Sequence, residues 1–129
     1  MQNNAINAQR RKNRSRNRED AYNPTEADVI NAVLGWLAAR RIPHWRINSG
    51  ALKNQSGQLV RFGARGMADI AAIGPDGRAI WIECKRPKGG VASAAQREFL
   101  DCINRNGGVG IIVSSVESLE LQLEEAGVI

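Results

Sequence analysis

Glu26, Asp69, Glu83 and Lys85 stand where ordinary folding does not ask for charge. Glu26 opens a run in which Val29, Ile30, Val33, Leu34, Trp36 and Leu37 recur at helical spacing. At about 100° per residue, Val33 and Leu37 fall within about 20° of Glu26, so its carboxylate lies on the centre line of the apolar stripe. Asp69 is followed at once by Ile70, Ala71, Ala72 and Ile73, and a strand interior disfavours Asp. Glu83-Cys84-Lys85 closes the apolar run Ile80-Trp81-Ile82; strand alternation puts Glu83 and Lys85 on one face and Cys84 on the other. Each has an ordinary reading alone: a first turn overhanging the core, a turn residue at a strand start, a surface ion pair. Together they form the donor set of a small hard cation. Mg²⁺ takes oxygen ligands in near-octahedral geometry and is commonly held by one or two carboxylates plus water. Such an ion can activate a water and stabilise charge on a phosphodiester. A nearby lysine can position that water or offset developing negative charge.

These side chains meet only if the intervening elements bring them together. Thr25 and Asp28 have the spacing of a helix cap, and the helix runs to about Arg40. After Pro43, His44-Trp45-Arg46-Ile47 alternates like a strand. Asn54-Gln55-Ser56-Gly57 is a turn between two short extended pieces that end at Arg61-Phe62. A strand over Met67–Ile73, the turn Gly74-Pro75-Asp76-Gly77 and a strand over Ala79–Lys85 predict a hairpin. That hairpin sets Asp69, near one strand's start, opposite the region of Glu83, near the other's end. Glu26 can reach the same rim from the first helix. Ser93-Ala94-Ala95-Gln96 has capping-box spacing and opens a helix bearing Phe99, Leu100 and Ile103. Asn106-Gly107-Gly108 stops it, Val109–Val113 reads as a strand, and a last helix runs from Ser114–Glu117 to Gly127. The order predicts an α/β fold with a mixed β-sheet flanked by helices, αβββαβ plus a C-terminal helix.

The chain has 129 residues, 43% apolar and 24% charged, which fits one domain. No apolar run reaches the roughly 18 residues of a membrane span. The start, MQNNAINAQRRKNRSRNRED, lacks the apolar stretch of a signal peptide. Two cysteines, Cys84 and Cys102, cannot build a disulfide framework, so a reducing, cytoplasmic setting is expected. With the single histidine, His44, they remain one ligand short of a structural zinc site. The net charge is +5, and residues 1–20 alone carry Arg10, Arg11, Lys12, Arg14, Arg16 and Arg18 against Glu19 and Asp20. Residues 40–105 hold the other twelve basic residues and only five acids. A basic arm and a basic middle point to a polyanion partner; the plainer reading is a solvated face and a solubilising tail. Residues 1–23 are too poor in large apolar side chains to repay ordering entropy and are expected to be a disordered arm, with the folded domain at 24–129.

The pattern Asp69 … Glu83-Cys84-Lys85 reproduces the D…(D/E)XK signature of the PD-(D/E)XK nuclease superfamily. More narrowly, the chain resembles the VRR-NUC (virus-type replication-repair nuclease) family, and within it the free-standing phage and bacterial kind rather than the members fused to larger repair proteins. The matching stretches are Glu26 opening an apolar helix, Arg46-Ile47-Asn48-Ser49-Gly50, Gly66-Met67-Ala68-Asp69-Ile70, Ile82-Glu83-Cys84-Lys85, and Ser93-Ala94-Ala95-Gln96 with Phe99. They span about residues 25–114. Ala68 departs from the proline that most relatives carry; that proline shapes backbone and is not a ligand.

The resemblance implies a restriction-endonuclease-like core and a Mg²⁺- or Mn²⁺-dependent endonuclease acting on DNA, in a bacterial or phage-infected cell. It implies Asp69 and Glu83 as metal ligands with the backbone carbonyl of Cys84 as a third. Glu26 would hold a second ion directly or through water, and Lys85 would be the catalytic lysine. Gln96 would orient the site; as the cap partner of Ser93 it is expected to be unable to do both, and the catalytic role is preferred. Arg46, Lys53, Arg61, Arg65, Arg86 and Lys88, with the arm, are expected to hold the DNA backbone. A homodimer on branched or junction DNA is implied, with modest support from Trp36, Trp45, Trp81 and from Leu119, Leu121 and Leu123 around the last helix. The competing readings are a non-catalytic DNA-binding module on the same fold, and a basic protein–protein adaptor; neither explains three acids that repel phosphate.

Overall fold

A computed structural model describes residues 4–11, 23–48 and 50–129. Within the arm, residues 4–11 (α1) are helical and exposed, where disorder was expected. Ala5, Ala8, Gln9, Arg10 and Arg11 within it have high helix propensity. Lys12, Arg14, Arg16 and Arg18 lie outside the described residues.

The domain follows as α2 (Glu26–Ala39), β1 (His44–Arg46), β2 (Gly50–Lys53), β3 (Leu59–Phe62), β4 (Ile70–Ile73), β5 (Ala79–Cys84), α3 (Ala94–Arg105), β6 (Val109–Val113) and α4 (Val116–Glu125). Four strands form one mixed sheet in the order β1-β4-β5-β6. β4 runs antiparallel to β1 and β5, and β6 runs parallel to β5. The αβββαβ order with a C-terminal helix is present, with β2 and β3 inserted as a separate hairpin between β1 and β4.

The alternation along β5 sorts the layers. Ile80, Ile82 and Cys84 face one way and join Val29, Ile30, Val33 and Leu37 of α2 with Leu119 and Leu123 of α4 in a single core cluster. Trp81 faces the other way and meets the edge of Phe99 in α3, ring centroids 5.1 Å apart. Opposite Trp81 in β6 is Gly110, where a Cβ would press into the backbone of Leu100. So α3 lies close on one face, and α2 and α4 cover the other.

Reciprocal caps start α2 and α3. Thr25 Oγ1 accepts the Asp28 amide at 3.1 Å while Asp28 Oδ2 accepts the Thr25 amide at 2.9 Å. Ser93 and Gln96 make the same exchange at the head of α3. The β4–β5 turn closes with the Gly74 amide donating to the Arg78 carbonyl at 2.9 Å, and Gly77 supplies the left-handed residue at φ 84°.

Of the apolar residues singled out for a dimer, Leu119 and Leu123 are fully buried, and Trp36 packs against the core with its Nε1 donating to Glu120. Trp81 is committed to Phe99, so Trp45 and Leu121 are the members left exposed, at 53% and 56%. Among the described residues no helix is long and apolar enough to cross a membrane.

Candidate metal centre

β4 begins at Ile70, so Asp69 sits just before the strand rather than inside it. The ladder still fixes its place. Ile70 pairs with Ile82, and one step further along the same register Asp69 lies opposite Glu83. Opposed residues on antiparallel strands share a face. Asp69 Oδ2 accepts the Cys84 amide at 2.8 Å, and its carbonyl accepts the Ile47 amide at 2.7 Å. Both hold it at the rim.

Glu83 is the one buried charged residue among those described, 1% exposed. It shares the Trp81 face of β5 and lies under the first turn of α3. Its Oε1 accepts from Gln96 Nε2 at 2.8 Å and pairs with Lys85 Nζ at 3.1 Å. Its Oε2 is buried with no hydrogen-bond partner.

Gln96 corrects the expectation that capping and site support exclude each other. An amide has two ends. Oε1 accepts the Ser93 amide at 2.9 Å while Nε2 holds Glu83, so the cap orients the donor toward the carboxylate.

Glu26 comes from the opposite layer, at the first position of α2, with its side chain 46% exposed. The cap leaves it free because Asp28, not Glu26, closes the box. Its stripe partners Ile30, Val33 and Leu37 are buried, as the helical spacing requires. Lys85, 14% exposed, reaches Glu26 Oε1 at 3.8 Å as well as Glu83. One ammonium thus bridges two carboxylates.

One ligand oxygen each from Glu26, Asp69 and Glu83 lies within 4.8 Å of the other two. Oxygens on opposite sides of one Mg²⁺ are about 4.2 Å apart, so a modest closure, or one water-mediated ligand, fits the set to an ion. Electrostatics points the same way. Carboxylates at that spacing repel by on the order of 3 kcal/mol per pair at an effective dielectric of about 20, and one lysine cannot neutralise three. Without a further cation a proton must serve. Burial, then the charge of Asp69, pushes the Glu83 carboxyl up to about 7 against the opposing pull of Lys85. The buried oxygen without a donor is the position a cation would satisfy. Cys84 turns its side chain into the core, and burial pushes its thiol up to about 12, so the thiol is no ligand. His44 Nδ1 lies 2.8 Å from the Ile42 carbonyl, and Cys102 is exposed on α3; neither joins the acidic cluster.

Gly66 sets the distance between the Asp69 loop and α3. Its φ is 76°, and a Cβ there would overlap the carbonyl of Ala95, one residue before Gln96. The loop bearing one of the three carboxylates therefore rests on the helix that orients another. The only sign of this in the sequence is the glycine itself.

The basic residues divide by location. Lys85, Arg86 and Lys88 line a cleft of about 650 Å³ with Glu26 and Thr25, directly beside the acids. Arg61 and Arg65 line a smaller hollow at the base of the β2–β3 hairpin. Arg46 ends β1 across from Ile70, and Lys53 ends β2; both are exposed.

Comparison of the chain with protein-family models, with curated proteins and with solved structures finds no match in any of the three.

Proposed function

We propose that this chain is a divalent-metal-dependent DNA endonuclease with a restriction-endonuclease-like core, of the VRR-NUC kind that its motifs resemble. The observation that carries the reading is the buried, donor-less Oε2 of Glu83 inside a cluster of three carboxylates, two of which a single lysine bridges. A DNA-binding module gains nothing from such a cluster beside a basic cleft.

Asp69 and Glu83 would hold Mg²⁺ or Mn²⁺, with the Cys84 carbonyl as a third donor and Glu26 acting through water or on a second ion. A bound ion supplies Lewis acidity toward water and a phosphoryl oxygen. In hydrolysis, water oxygen bonds to phosphorus and one phosphoester P–O bond breaks; the attacking water gives up a proton to solvent and the leaving oxygen takes one from solvent, leaving a phosphomonoester and an alcohol. Lys85 offsets the charge that grows on the phosphorane, where a preformed cation is worth most. Gln96 keeps Glu83 in place as that charge develops. Arg46, Arg65, Arg86 and Lys88 hold the strand by its phosphates, which gives affinity without sequence preference. A homodimer acting on branched DNA belongs to the same reading, since one domain with one acidic cluster makes one nick at a time.

The test is plasmid nicking with Mg²⁺ or Mn²⁺, comparing wild type with Asp69→Asn and Glu83→Gln. Cleavage is expected from wild type alone, with DNA binding retained or tightened in both variants. Binding without cleavage by wild type would leave a DNA-binding module. Equal cleavage by all three would remove the site assignment.

A further inference from the structure

The β2–β3 hairpin has no task in the site described so far. It leaves the sheet after Arg46 and returns through Gly63–Ala68, so both ends sit at the rim that carries Asp69. Beyond that rim neither strand packs on another described helix or strand. An isolated two-stranded hairpin is marginal in water. This one is braced at its tip, where Asn54 Oδ1 accepts the amides of Ser56 and Gln58 at 3.0 and 2.9 Å. At about 3.3 Å per residue it extends roughly 20 Å from the sheet.

Register sorts its side chains into two faces. Leu52 opposes Val60 on one face; Ala51 opposes Arg61, and Lys53 opposes Leu59, on the other. Leu52 is 67% exposed and Val60 49%. Residues 29–68 contain no acid, while Arg46, Lys53, Arg61 and Arg65 lie within them. Lys53 and Arg61 lie on the face opposite Leu52 and Val60, so a second copy seated on the apolar pair would leave the positive charge of both hairpins unoffset within about a Debye length. The surface instead matches a polyanion that also offers apolar faces. Nucleic acid does so where its bases are unstacked.

We infer that β2–β3 is a branch-sensing arm: Lys53 and Arg61 bind backbone phosphates, and Leu52 and Val60 pack against base faces exposed where a duplex forks. It rests on the nuclease reading for its substrate class and goes beyond it in assigning structure selectivity to this hairpin. An intact duplex hides its base faces in the stack, so it offers the apolar pair little. At a branch the unstacking is already done, and apolar side chains are the kind that occupy such gaps.

The experiment compares wild type, Leu52→Thr/Val60→Thr and Lys53→Ala/Arg61→Ala in EDTA, by fluorescence anisotropy on a four-way junction and on linear duplex of equal length. Light scattering gives the mass of each, and thermal melts confirm folding; threonine keeps β propensity. The threonine pair should bring the junction-to-duplex preference to about one with an unchanged salt slope. The alanine pair should weaken both substrates alike and lower the log–log salt slope by about 1.8, at 0.9 per neutralised phosphate. A wild type without junction preference, or a threonine pair that keeps it, overturns the inference. A fall in mass for the threonine pair also overturns it and assigns the face to a second copy. Failure of wild type to cleave under Mg²⁺ strikes the nuclease reading and leaves these binding results standing.

Discussion

Gln96 donates to Glu83 across 2.8 Å from a side chain whose other end closes a helix cap. The start of α3 is thereby tied to the most buried charge of the domain, and fold and site share one amide. Two substitutions separate these roles. Ser93→Ala removes the hydroxyl that accepts the Gln96 amide and should cost about 1 kcal/mol in stability, leaving Mn²⁺ affinity unchanged. Gln96→Ala loses the side-chain acceptor of the Ser93 amide and the Glu83 donor together, while the Ser93 hydroxyl still caps the helix. It should cost more in stability and weaken Mn²⁺ binding about tenfold or more. Chemical denaturation and calorimetry on both proteins measure this, and equal Mn²⁺ affinities would reduce Gln96 to a cap.

The raised Glu83 carboxyl makes stability and metal binding respond oppositely to pH. Without metal, the unfolded chain releases this proton near 4.5 and the folded protein holds it to about 7. The native state binds the extra proton in that window, so its stability falls as pH climbs from about 4.5 to about 7 and then levels. Metal must displace the same proton, so Mg²⁺ affinity should rise by up to tenfold per pH unit below 7 and flatten above it. Melting curves of wild type and Glu83→Gln, with EDTA and with Mg²⁺, isolate the effect. Parallel pH profiles for the two proteins would count against it.

Lys85 bridges Glu83 and Glu26 and lines the cleft, so in the proposed nuclease its charge would serve both ground state and transition state. Lys85→Ala should lower the single-turnover cleavage rate about a hundredfold or more while changing DNA affinity only a few-fold. Lys85→Arg should rescue partially, because a planar fork places the charge differently. An unchanged chemical rate with weaker binding would make Lys85 a phosphate contact.

Gly57 and Gly66 both have positive φ, at 77° and 76°, but Gly57 has open space where Gly66 meets Ala95. Gly57→Ala should therefore cost only the left-handed penalty, about 1 kcal/mol. Gly66→Ala should cost clearly more and weaken metal binding, because the Asp69 loop must lift off α3. Denaturation midpoints and Mn²⁺ titrations of the pair decide it.

Deleting residues 1–20 removes net +4. Cleavage at saturating DNA should persist, while binding weakens and its salt slope falls by about 0.9 for each phosphate the arm neutralises. An unchanged slope would take the arm off the DNA.

Local rules were enough for much of this molecule. Caps at Thr25 and Ser93, turns at Asn54–Gly57 and Gly74–Gly77, and the alternation of Ile80, Ile82 and Cys84 are short-range effects, so the elements could be read directly from residue types. The hairpin register then followed from turn length, which placed Asp69 against Glu83 before any packing was known. What tertiary structure decided lies between elements distant in sequence. Nothing local says that α3 sits close enough to β5 for Gln96 to reach Glu83, that one oxygen of Glu83 is left without a donor, or that Gly66 is wedged against Ala95. The exposure of Leu52 and Val60 is likewise a result of assembly. Their alternation is that of any half-buried strand, and only the final packing of the layers left both faces of that hairpin uncovered by the other described elements.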